Sequence, residues 1–515
     1  MVLEGLICGY RVGMTVESYW MASTEQPRHP ALTGDITADV AVVGGGIAGV
    51  CAAWELARAG RRVVLIEADR ILSSVTGHTT AKLTALHGFT YAKLRSSLGK
   101  QAAAWYARSQ QDAIAHVAAT ADELGIECEL ESRAAYSYVV SDDHRDLARE
   151  EATAAREAGL VAEFVTDVGL PYPVSGAVRA PDQAQFHPRK FLLGLADDLV
   201  RRGGQIVETT RVTGLDGSGP CRLPTEQGAT VTAEHVVIAT GFPVIDRTSI
   251  FTRLSPKREL VVAGAIPAEA DPDGMFITYQ GGTRSVRTAP YREGQRLLIV
   301  TGEAFTPSTV STAERFTKLT DWARQHFPVI SIDYRWAAQD FATTDHAPYV
   351  GRFPHGHGRV WVATGFGGWG MSNGVMSGRL LAALIAGQDV PEWAKLYDPH
   401  RLHPIAEAPQ LMKTGLGVAK HYVRDRLRPS QGSSVADIKP GHGAVVRVDG
   451  ELCAVYRDDS GALQAVSAIC AHRGCTVGFN DAERTWDCPC HGSRYAVDGA
   501  VLNGPTVRPL PTRSL

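Results

Sequence analysis

The stretch DVAVVGGGIAGVCAAWELARAGRRVVLIE, residues 39–67, decides the fold of this chain. Its apolar start, residues 39–43, is typical of a strand buried on both faces of a parallel sheet. A glycine-rich turn and a helix over residues 47–59 follow, and VVLIE forms a second strand that ends at Glu67. Strand, turn, helix and strand in this order predict a Rossmann-type α/β domain.

The glycines of the turn predict what this domain binds. Gly44, Gly46 and Gly49 give the spacing G-x-G-x-x-G, which allows a tight turn, a close approach to a pyrophosphate and close packing of helix on strand. The start of the helix offers free N–H groups to phosphates. Glu67 lies about 20 residues farther on, where an acid can bind ribose hydroxyls. We therefore predict a dinucleotide site, with a chance glycine turn as the alternative.

A second glycine run lies far along the chain. Residues 360–387, VWVATGFGGWGMSNGVMSGRLLAALIAG, also predict strand, turn and helix, and Gly365, Gly367 and Gly370 repeat the spacing. No second βαβ unit with a terminal acid follows, so this run is expected to form the other side of one cofactor site. Between the two runs, AEHVVIATG at 233–241 predicts a strand that ends in glycine. The first motif alone leaves FAD and NAD open.

These motifs, together with DQAQFHPRKF at 182–191 and TTDHAPYVG at 343–351, resemble the FAD-dependent D-amino-acid oxidase superfamily. SYW at 18–20 is most similar to the γ-glutamylputrescine oxidase branch; glycine and sarcosine oxidases are other members. The resemblance covers about residues 18–400 and implies extended FAD and oxidation of an amine or amino acid. It implies cofactor contacts at Gly44, Gly46, Ile47, Ala48, Gly49, Glu67, Ala68, Arg70, His78, Thr79, Val212, Gly241, Gly365, Gly367, Trp369, Gly370 and Met371.

His78 and Arg287 are the candidate catalytic residues. His78 occupies the place where some members of the superfamily bind FAD covalently, and a flavin contact without a bond and no role at all are the alternatives. Arg284 and Arg287 could face the flavin and hold a carboxylate, with surface arginines as the alternative.

The predicted domains follow from these motifs. FAD-binding parts are expected at about 36–90, 175–245 and 336–390, and an α+β substrate domain with a mixed sheet at about 91–174 and 246–335. A helical pattern covers 91–125. We further predict a disordered extension at 1–17, a helical connector at 401–432 and a small all-β domain at 433–515.

Four residues of this last domain are candidate metal ligands. Cys470, His472, Cys488 and His491 form C-x-H and C-x-x-H runs, so each short loop supplies one thiolate and one imidazole. Structural zinc sites usually begin with C-x₂-C, whereas two Cys on one iron and two His on the other is the ligand set of a Rieske [2Fe–2S] centre. Zinc and no metal are the alternatives.

Residues 435–515 closely resemble Rieske proteins, including the loop LNGPTVRPLP. The resemblance implies a disulfide between Cys475 and Cys490, with two packed free thiols as the alternative. It also implies that Ser493 and Tyr495 donate hydrogen bonds to the cluster sulfurs, which raises the reduction potential.

Composition limits the remaining functions. The net charge of −3 provides no basic surface for nucleic acid, and no apolar run is long enough for a transmembrane helix. Five of the nine cysteines lie after position 450, which differs from a secreted disulfide framework. Without an export signal, the cytoplasm is the expected location.

A flavin accepts two electrons and a Rieske centre holds one. We therefore expect an FAD-dependent oxidoreductase that oxidises a C–N bond of an amine or amino compound. Electrons are expected to pass to the cluster and then to an external one-electron acceptor or O₂. The alternatives are an NAD(P)H-dependent reductase that feeds a partner oxygenase, and a non-catalytic redox sensor or electron carrier.

Overall fold

The computed structural model describes residues 17–217, 219–244, 250–279, 282–308, 310–354, 358–403, 407–408, 412 and 434–515. The predicted N-terminal extension and helical connector lie almost entirely outside these residues. Among the described helices, none is long and apolar enough to cross a membrane.

The first sheet has seven strands. They are β1 (Ile36–Val43), β2 (Val63–Ile66), β7 (Gln205–Val207), β8 (Cys221–Pro224), β9 (Thr230–Gly241), β15 (Tyr349–Arg352) and β16 (Val360–Thr364). The order is β15-β16-β9-β1-β2-β7, and β8 pairs with β9. The strands from β16 to β7 are parallel, while β15 and β8 are antiparallel to their neighbours. The runs that predicted parallel strands therefore form the centre of this sheet.

Eight α-helices lie wholly within the described residues. They are α1 (Tyr19–Ala22), α2 (Ile47–Arg58), α3 (Tyr91–Leu98), α4 (Lys100–Leu124), α5 (Arg145–Glu157), α6 (Pro188–Arg201), α7 (Thr312–His326) and α8 (Gly370–Ala386). Helix α2, which follows the first glycine turn, packs on α8, which follows the second. A Cβ on Gly374 would lie 2.6 Å from Ile47 Cγ2, and one on Gly378 would lie 2.5 Å from Cys51 Cβ. The two helices approach this closely because α8 has glycine at the contact.

The second sheet has nine strands and is mixed, as predicted. They are β3 (Lys82–Leu83), β4 (Glu131–Val139), β5 (Glu163–Val165), β6 (Gly176–Gln185), β10 (Leu254–Pro267), β11 (Met275–Thr278), β12 (Arg284–Pro290), β13 (Gln295–Phe305) and β14 (Ser331–Thr343). The order is β14-β10-β13-β12-β11-β4-β6-β3, and β5 pairs with β6. One face packs against α7. The other face, which includes Val261 and Trp336, packs against Ala81 in the segment after β2.

Two details differ from the sequence-based expectations. Strands β6 and β14 belong to the second sheet, because β6 pairs with β4 and β14 pairs with β10, although all of β6 and most of β14 fall in the predicted FAD-binding parts. The helical pattern at 91–125 forms two helices, α3 and α4, because Gly99 between them has φ +89°.

The C-terminal residues form two small antiparallel sheets. The first contains β17 (His442–Val448), β18 (Glu451–Arg457) and β19 (Leu463–Ser467), and the second contains β20 (Gly478–Asn480), β21 (Thr485–Asp487), β22 (Arg494–Tyr495) and β23 (Val501–Asn503). The turn VDGE at 448–451 joins β17 to β18, and Asp449 and Gly450 both have positive φ, as a two-residue hairpin requires. The loops between β19 and β20 and between β21 and β22 contain the candidate metal ligands.

Candidate redox site

The first glycine turn is closely packed. Gly44 has φ +105°, and a Cβ there would lie 2.5 Å from Ala239 O. A Cβ on Gly49 would lie 1.8 Å from Gly44 O. Only glycine fits at these two positions, so the turn can bring bare backbone and the start of α2 up to a bound phosphate.

Glu67 is fixed beside this turn. Its carboxylate accepts hydrogen bonds from Gly45 N at 2.7 Å and Asp69 N at 3.0 Å. Burial raises the pKa of Glu67. A carboxylate held at the end of the second parallel strand fits the predicted contact with ribose hydroxyls.

Two other predicted contacts have protein partners. The Arg70 guanidinium donates to the carbonyls of Gln26 and Pro27 at 3.0 Å and lies 3.6 Å from the Glu208 carboxylate. Val212 is buried in the core below the first sheet. Arg70 therefore holds the N-terminal segment beside the site.

The second glycine loop meets the end of β9. Thr364, at the end of β16, donates a hydrogen bond from its hydroxyl to Gly241 O. A Cβ on Gly365 would lie 2.3 Å from Thr343 Cγ2. Farther along this loop, Trp369 stacks on His87 with ring centroids 4.4 Å apart. The structure thus brings together the strand end and the second glycine loop that were predicted to share one cofactor.

The two candidate catalytic residues, His78 and Arg287, meet at the segment that follows β2. His78 Nδ1 lies 2.8 Å from Ser74 O, and burial lowers the pKa of His78. The buried Arg287 donates from Nη1 to the carbonyls of Thr80 and Ala81 at 3.1 and 2.6 Å. These two donors of Arg287 are therefore committed to backbone rather than open to a substrate carboxylate.

Arg284, the other arginine considered for a role at the flavin, also has partners within the protein. Arg284 pairs with the Glu303 carboxylate at 2.7 Å and lies over the ring of Trp322. This pair is on the α7 side of the second sheet, so a flavin-facing role for Arg284 lacks geometric support.

The four candidate metal ligands converge in the C-terminal unit. The side chains of Cys470 and Cys488 interact directly, and the rings of His472 and His491 lie 4.9 Å apart. Tyr495 Oη is 3.1 Å from Cys470 Sγ. Paired thiols, paired imidazoles and a hydroxyl on one sulfur fit a Rieske cluster.

A disulfide joins the two ligand loops. Cys475 and Cys490 are bonded, with their Cα atoms 6.6 Å apart. Their sulfurs lie within 4.8 Å of Cys488 Sγ. Because oxidised sulfurs are not thiolate ligands, this arrangement leaves Cys470 and Cys488 as the cysteines for a metal, in agreement with the predicted set.

The histidine edge of this unit faces the first sheet. The ring of Phe242 lies 6.1 Å from that of His472 and 5.8 Å from that of His491, edge-on to both. Phe242 is buried and directly follows Gly241 at the end of β9. One aromatic ring therefore separates the imidazole ligands from a strand end assigned to the dinucleotide site.

Acidic side chains anchor the C-terminal unit to the rest of the chain. The Asp481 carboxylate caps the start of α7 by accepting from Thr312 N at 2.9 Å, Ala313 N at 3.1 Å and Ser311 Oγ at 2.7 Å. Further hydrogen bonds across the same boundary run from Gln339 to Gly492, from Arg211 to Val501 and from Asn503 to Ser74.

A buried ionic cluster strengthens this boundary. Arg258 of β10 is 1% exposed and pairs with Glu483, while its Nη1 lies 3.9 Å from Asp487. Arg494 pairs with the same two carboxylates at 3.0 and 3.1 Å. A guanidinium from the second sheet thus completes a cluster inside the C-terminal unit.

The family comparisons agree with this geometry. Residues 39–384 match the family described as FAD dependent oxidoreductase (DAO), and residues 432–514 match the Rieske [2Fe-2S] domain. The chain therefore belongs to the FAD dependent oxidoreductase family and has a C-terminal Rieske domain. The predicted family, fold class and two cofactors, FAD and a Rieske [2Fe–2S] cluster, are confirmed.

Individual relatives support the same assignment. YhfW of Bacillus subtilis (strain 168), named as a Rieske 2Fe-2S iron-sulfur protein, is 32% identical over 96% of this chain and 97% of its own. γ-Glutamylputrescine oxidoreductase of Escherichia coli (strain K12) is 24% identical over 80% of this chain and 98% of its own. The crystal structure of glycine oxidase from Geobacillus kaustophilus superposes with a TM-score of 0.59 at 21% identity, covering 71% of this chain and 99% of that one.

Several residues at the site were not predicted from the sequence. Phe242, Arg258 and Trp336 carry no motif, because each acts through a contact with a segment far away in the chain. The one available signal was for Phe242, which directly follows the predicted strand VVIATG.

Proposed function

We propose that this protein oxidises a C–N bond of an amine or amino compound and passes the electrons from FAD to the Rieske cluster and then to an external acceptor. FAD, when bound, accepts two electrons from a substrate, whereas the cluster holds one. The observation that most directly supports this proposal is the packing of both candidate imidazole ligands against Phe242, which directly follows Gly241.

The contacts around Phe242 support an internal electron path. The ring is 1% exposed and also packs edge-on against Phe341 at 5.2 Å. Phe341 O in turn accepts from Gly367 N at 2.9 Å, in the second glycine loop. The histidine edge of the Rieske unit therefore adjoins two segments that are predicted to contact FAD.

The same contacts support exchange of electrons between FAD and the cluster within one molecule. His491 is buried at this boundary, and its ring is directed toward the FAD-binding part rather than toward solvent. The amine class of substrate is supported by the named activity of the Escherichia coli relative, γ-glutamylputrescine oxidoreductase.

The test uses the full-length holoprotein under anaerobic conditions. Amines and amino acids, including γ-glutamylputrescine and glycine, are added one at a time, and flavin bleaching and the EPR signal of the reduced cluster are followed together. The expected result is that one compound bleaches the flavin and the cluster signal then appears within the same molecule. Reduction of both centres by NADH or NADPH, with no response to any amine, would contradict the proposal and favour a reductase.

A matched pair of variants tests the packing at Phe242. Phe242→Leu removes the ring between the two centres, and Phe353→Leu makes the same change at another buried position in the same core. Phe242→Leu is expected to slow reduction of the cluster while the substrate still bleaches the flavin at the normal rate. Equal cluster-reduction rates in the two variants would argue against a path at Phe242.

A further inference from the structure

The loop at residues 77–81, called the flavin loop below, has an unusual set of hydrogen bonds. Each of its five successive carbonyls accepts a bond from a side chain elsewhere in the chain. Ser18 Oγ bonds to Gly77 O, Trp336 Nε1 to His78 O at 2.7 Å, Trp20 Nε1 to Thr79 O at 2.7 Å, and Arg287 Nη1 to Thr80 O at 3.1 Å and Ala81 O at 2.6 Å.

The donors of these bonds are rigid. Trp20, Trp336 and Arg287 are 0%, 4% and 1% exposed, and the Arg287 guanidinium lies over the ring of Trp20 at 5.4 Å. They come from α1, β14 and β12, so side chains of three separate elements bind the carbonyls of one short loop. Contact with α1 is close, because a Cβ on Gly77 would lie 2.7 Å from Met21 Sδ.

The other side of the loop is open. Thr79 and Thr80 are partly exposed, whereas the side chains that hold their carbonyls are buried. In the described part of the chain, neither Thr79 N nor Thr80 N has a hydrogen-bond partner. Buried side chains fix the carbonyls, and two N–H groups without partners lie on the accessible side of the loop. Such N–H groups suit a ligand with hydrogen-bond acceptors.

We infer that Trp20 and Trp336 are positioning residues for the flavin. By fixing the carbonyls of Thr79 and His78, they direct the N–H groups of Thr79 and Thr80 toward the polar edge of the bound flavin ring. Hydrogen-bond donors at this edge stabilise the negative charge that the ring gains on reduction. The N-terminal SYW segment is therefore part of the machinery that sets the flavin potential.

This inference depends on FAD binding and not on the substrate or on electron transfer to the cluster. Its failure is therefore distinguishable from failure of the proposed function, since the flavin potential is measured by equilibration with a reference dye, without substrate. Trp20 acts through its hydrogen bond to Thr79 O.

The experiment compares three tryptophan variants of the full-length holoprotein. Trp20→Phe and Trp336→Phe keep most of the buried ring but remove the N–H that holds the flavin loop. Trp54→Phe is the matched control, because Trp54 is 1% exposed and its Nε1 donates to Asp198 Oδ2 at 2.8 Å, away from the loop.

The midpoint potential of the flavin and the FAD-to-protein ratio after dialysis are measured for each variant. The expected result is a lower flavin potential and about tenfold weaker FAD retention in Trp20→Phe and Trp336→Phe, the scale of one lost hydrogen bond, with Trp54→Phe unchanged. Loss of FAD from both loop variants but not from the control also supports the inference. Flavin potentials that coincide in all three variants would overturn it.

If Trp20→Phe folds poorly, Ser18→Ala provides a second route. This change removes the bond to Gly77 O and the bond from Met21 N that caps α1, and it leaves the tryptophans in place. The inference expects a smaller shift of the flavin potential in the same direction, and an unchanged potential in a folded Ser18→Ala variant would count against it.

Discussion

The flavin loop and the two loops with the candidate cluster ligands are held in opposite ways. The carbonyls of the flavin loop are bonded by side chains 59 to 258 positions away in the chain. The ligand loops are joined by a disulfide with a sequence separation of 15, and Tyr495 lies 25 positions from Cys470. Their backbone bonds are equally local, with Cys470 N donating to Cys475 O at 2.8 Å.

This difference has a physical consequence. The ligand loops are constrained by their own covalent and hydrogen-bonded frame, so their geometry depends little on the rest of the molecule. The flavin loop contains no cysteine for a disulfide, and the hydrogen bonds on its carbonyls depend on the packing of α1, β12 and β14. Damage to the cluster should therefore stay within the C-terminal unit, whereas distant changes should reach the flavin.

The largest expected effect is the loss of a ligand. Cys488→Ser removes a thiolate that the cluster requires, so we expect iron content to fall almost to zero and the Rieske EPR signal to disappear. FAD content should stay normal, because the flavin loop does not depend on the cluster loops. Cys453→Ser changes another buried cysteine of the same unit and should keep both iron and FAD. Loss of FAD together with iron in Cys488→Ser would contradict the expected independence of the flavin loop from the cluster loops.

The pH dependence of stability tests how well water is excluded from the surroundings of the flavin loop. Lys82 follows this loop directly, and its Nζ donates to Phe276 O at 2.7 Å and to the Ser285 hydroxyl. Burial lowers the pKa of Lys82 to about 7, against about 10.4 in an unfolded chain. Between these pH values the unfolded chain holds a proton that the folded chain has lost. The free energy of unfolding should therefore rise with pH, by up to about 1.4 kcal/mol per pH unit.

Lys82→Met should abolish this rise. We expect the difference in free energy of unfolding between the variant and the parent to change by a few kcal/mol between pH 7 and pH 10, measured by urea titration at each pH. Lys257→Met, at a half-exposed lysine paired with Glu259, should keep the pH dependence of the parent. A parallel pH profile for parent and Lys82→Met would show that Lys82 is better solvated than the structure indicates.

The next effect concerns the boundary between the two regions. Arg258→Met removes a buried guanidinium that pairs with Glu483, and breaking such a pair costs about 3 kcal/mol. Both cofactors should remain, but cluster reduction should slow and become sensitive to salt, because Arg494 alone then balances Glu483 and Asp487. Stopped-flow measurement at two salt concentrations checks this. Arg179→Met, which breaks an exposed pair with Glu163, should behave like the parent.

Much of the fold was predictable because its signals are local. The apolar runs and glycine turns around β1, α2, β16 and α8 each lie within one short segment, so periodicity and turn chemistry were sufficient. The transfer of β6 and β14 to the second sheet was not predictable in this way. Their pairing with β4 and β10 depends on packing between segments far apart, which no local pattern encodes.

The residues of the candidate site show the same division between local sequence signals and contacts across long stretches of chain. The ligand spacing could be proposed from residues 470–491 alone, because the ligand loops form their own frame, and the pair Cys475 and Cys490 followed from the resemblance to Rieske proteins. The contacts of Arg287 with the flavin loop span more than 200 positions, so the sequence suggested an arginine facing the flavin but not its backbone partners. Phe242 was missed for the same reason.

The smallest effect is expected where the ligand loops are most self-contained. Tyr495→Phe removes the hydroxyl 3.1 Å from Cys470 Sγ but keeps the buried ring. A hydrogen bond to a cluster sulfur favours the reduced, more negative cluster, so its loss should lower the cluster potential. One such bond is worth on the order of 1 kcal/mol, or about 40 mV for one electron. Protein-film voltammetry measures this shift, and Tyr456→Phe, whose hydroxyl accepts from Arg484 Nη1 at 3.4 Å, should leave the cluster potential unchanged.

Because the conformation of the ligand loops does not depend on the flavin loop, the flavin potential should be the same in both variants. A flavin shift in Tyr495→Phe would mean that the two regions are coupled through Phe242 more tightly than their separate frames suggest.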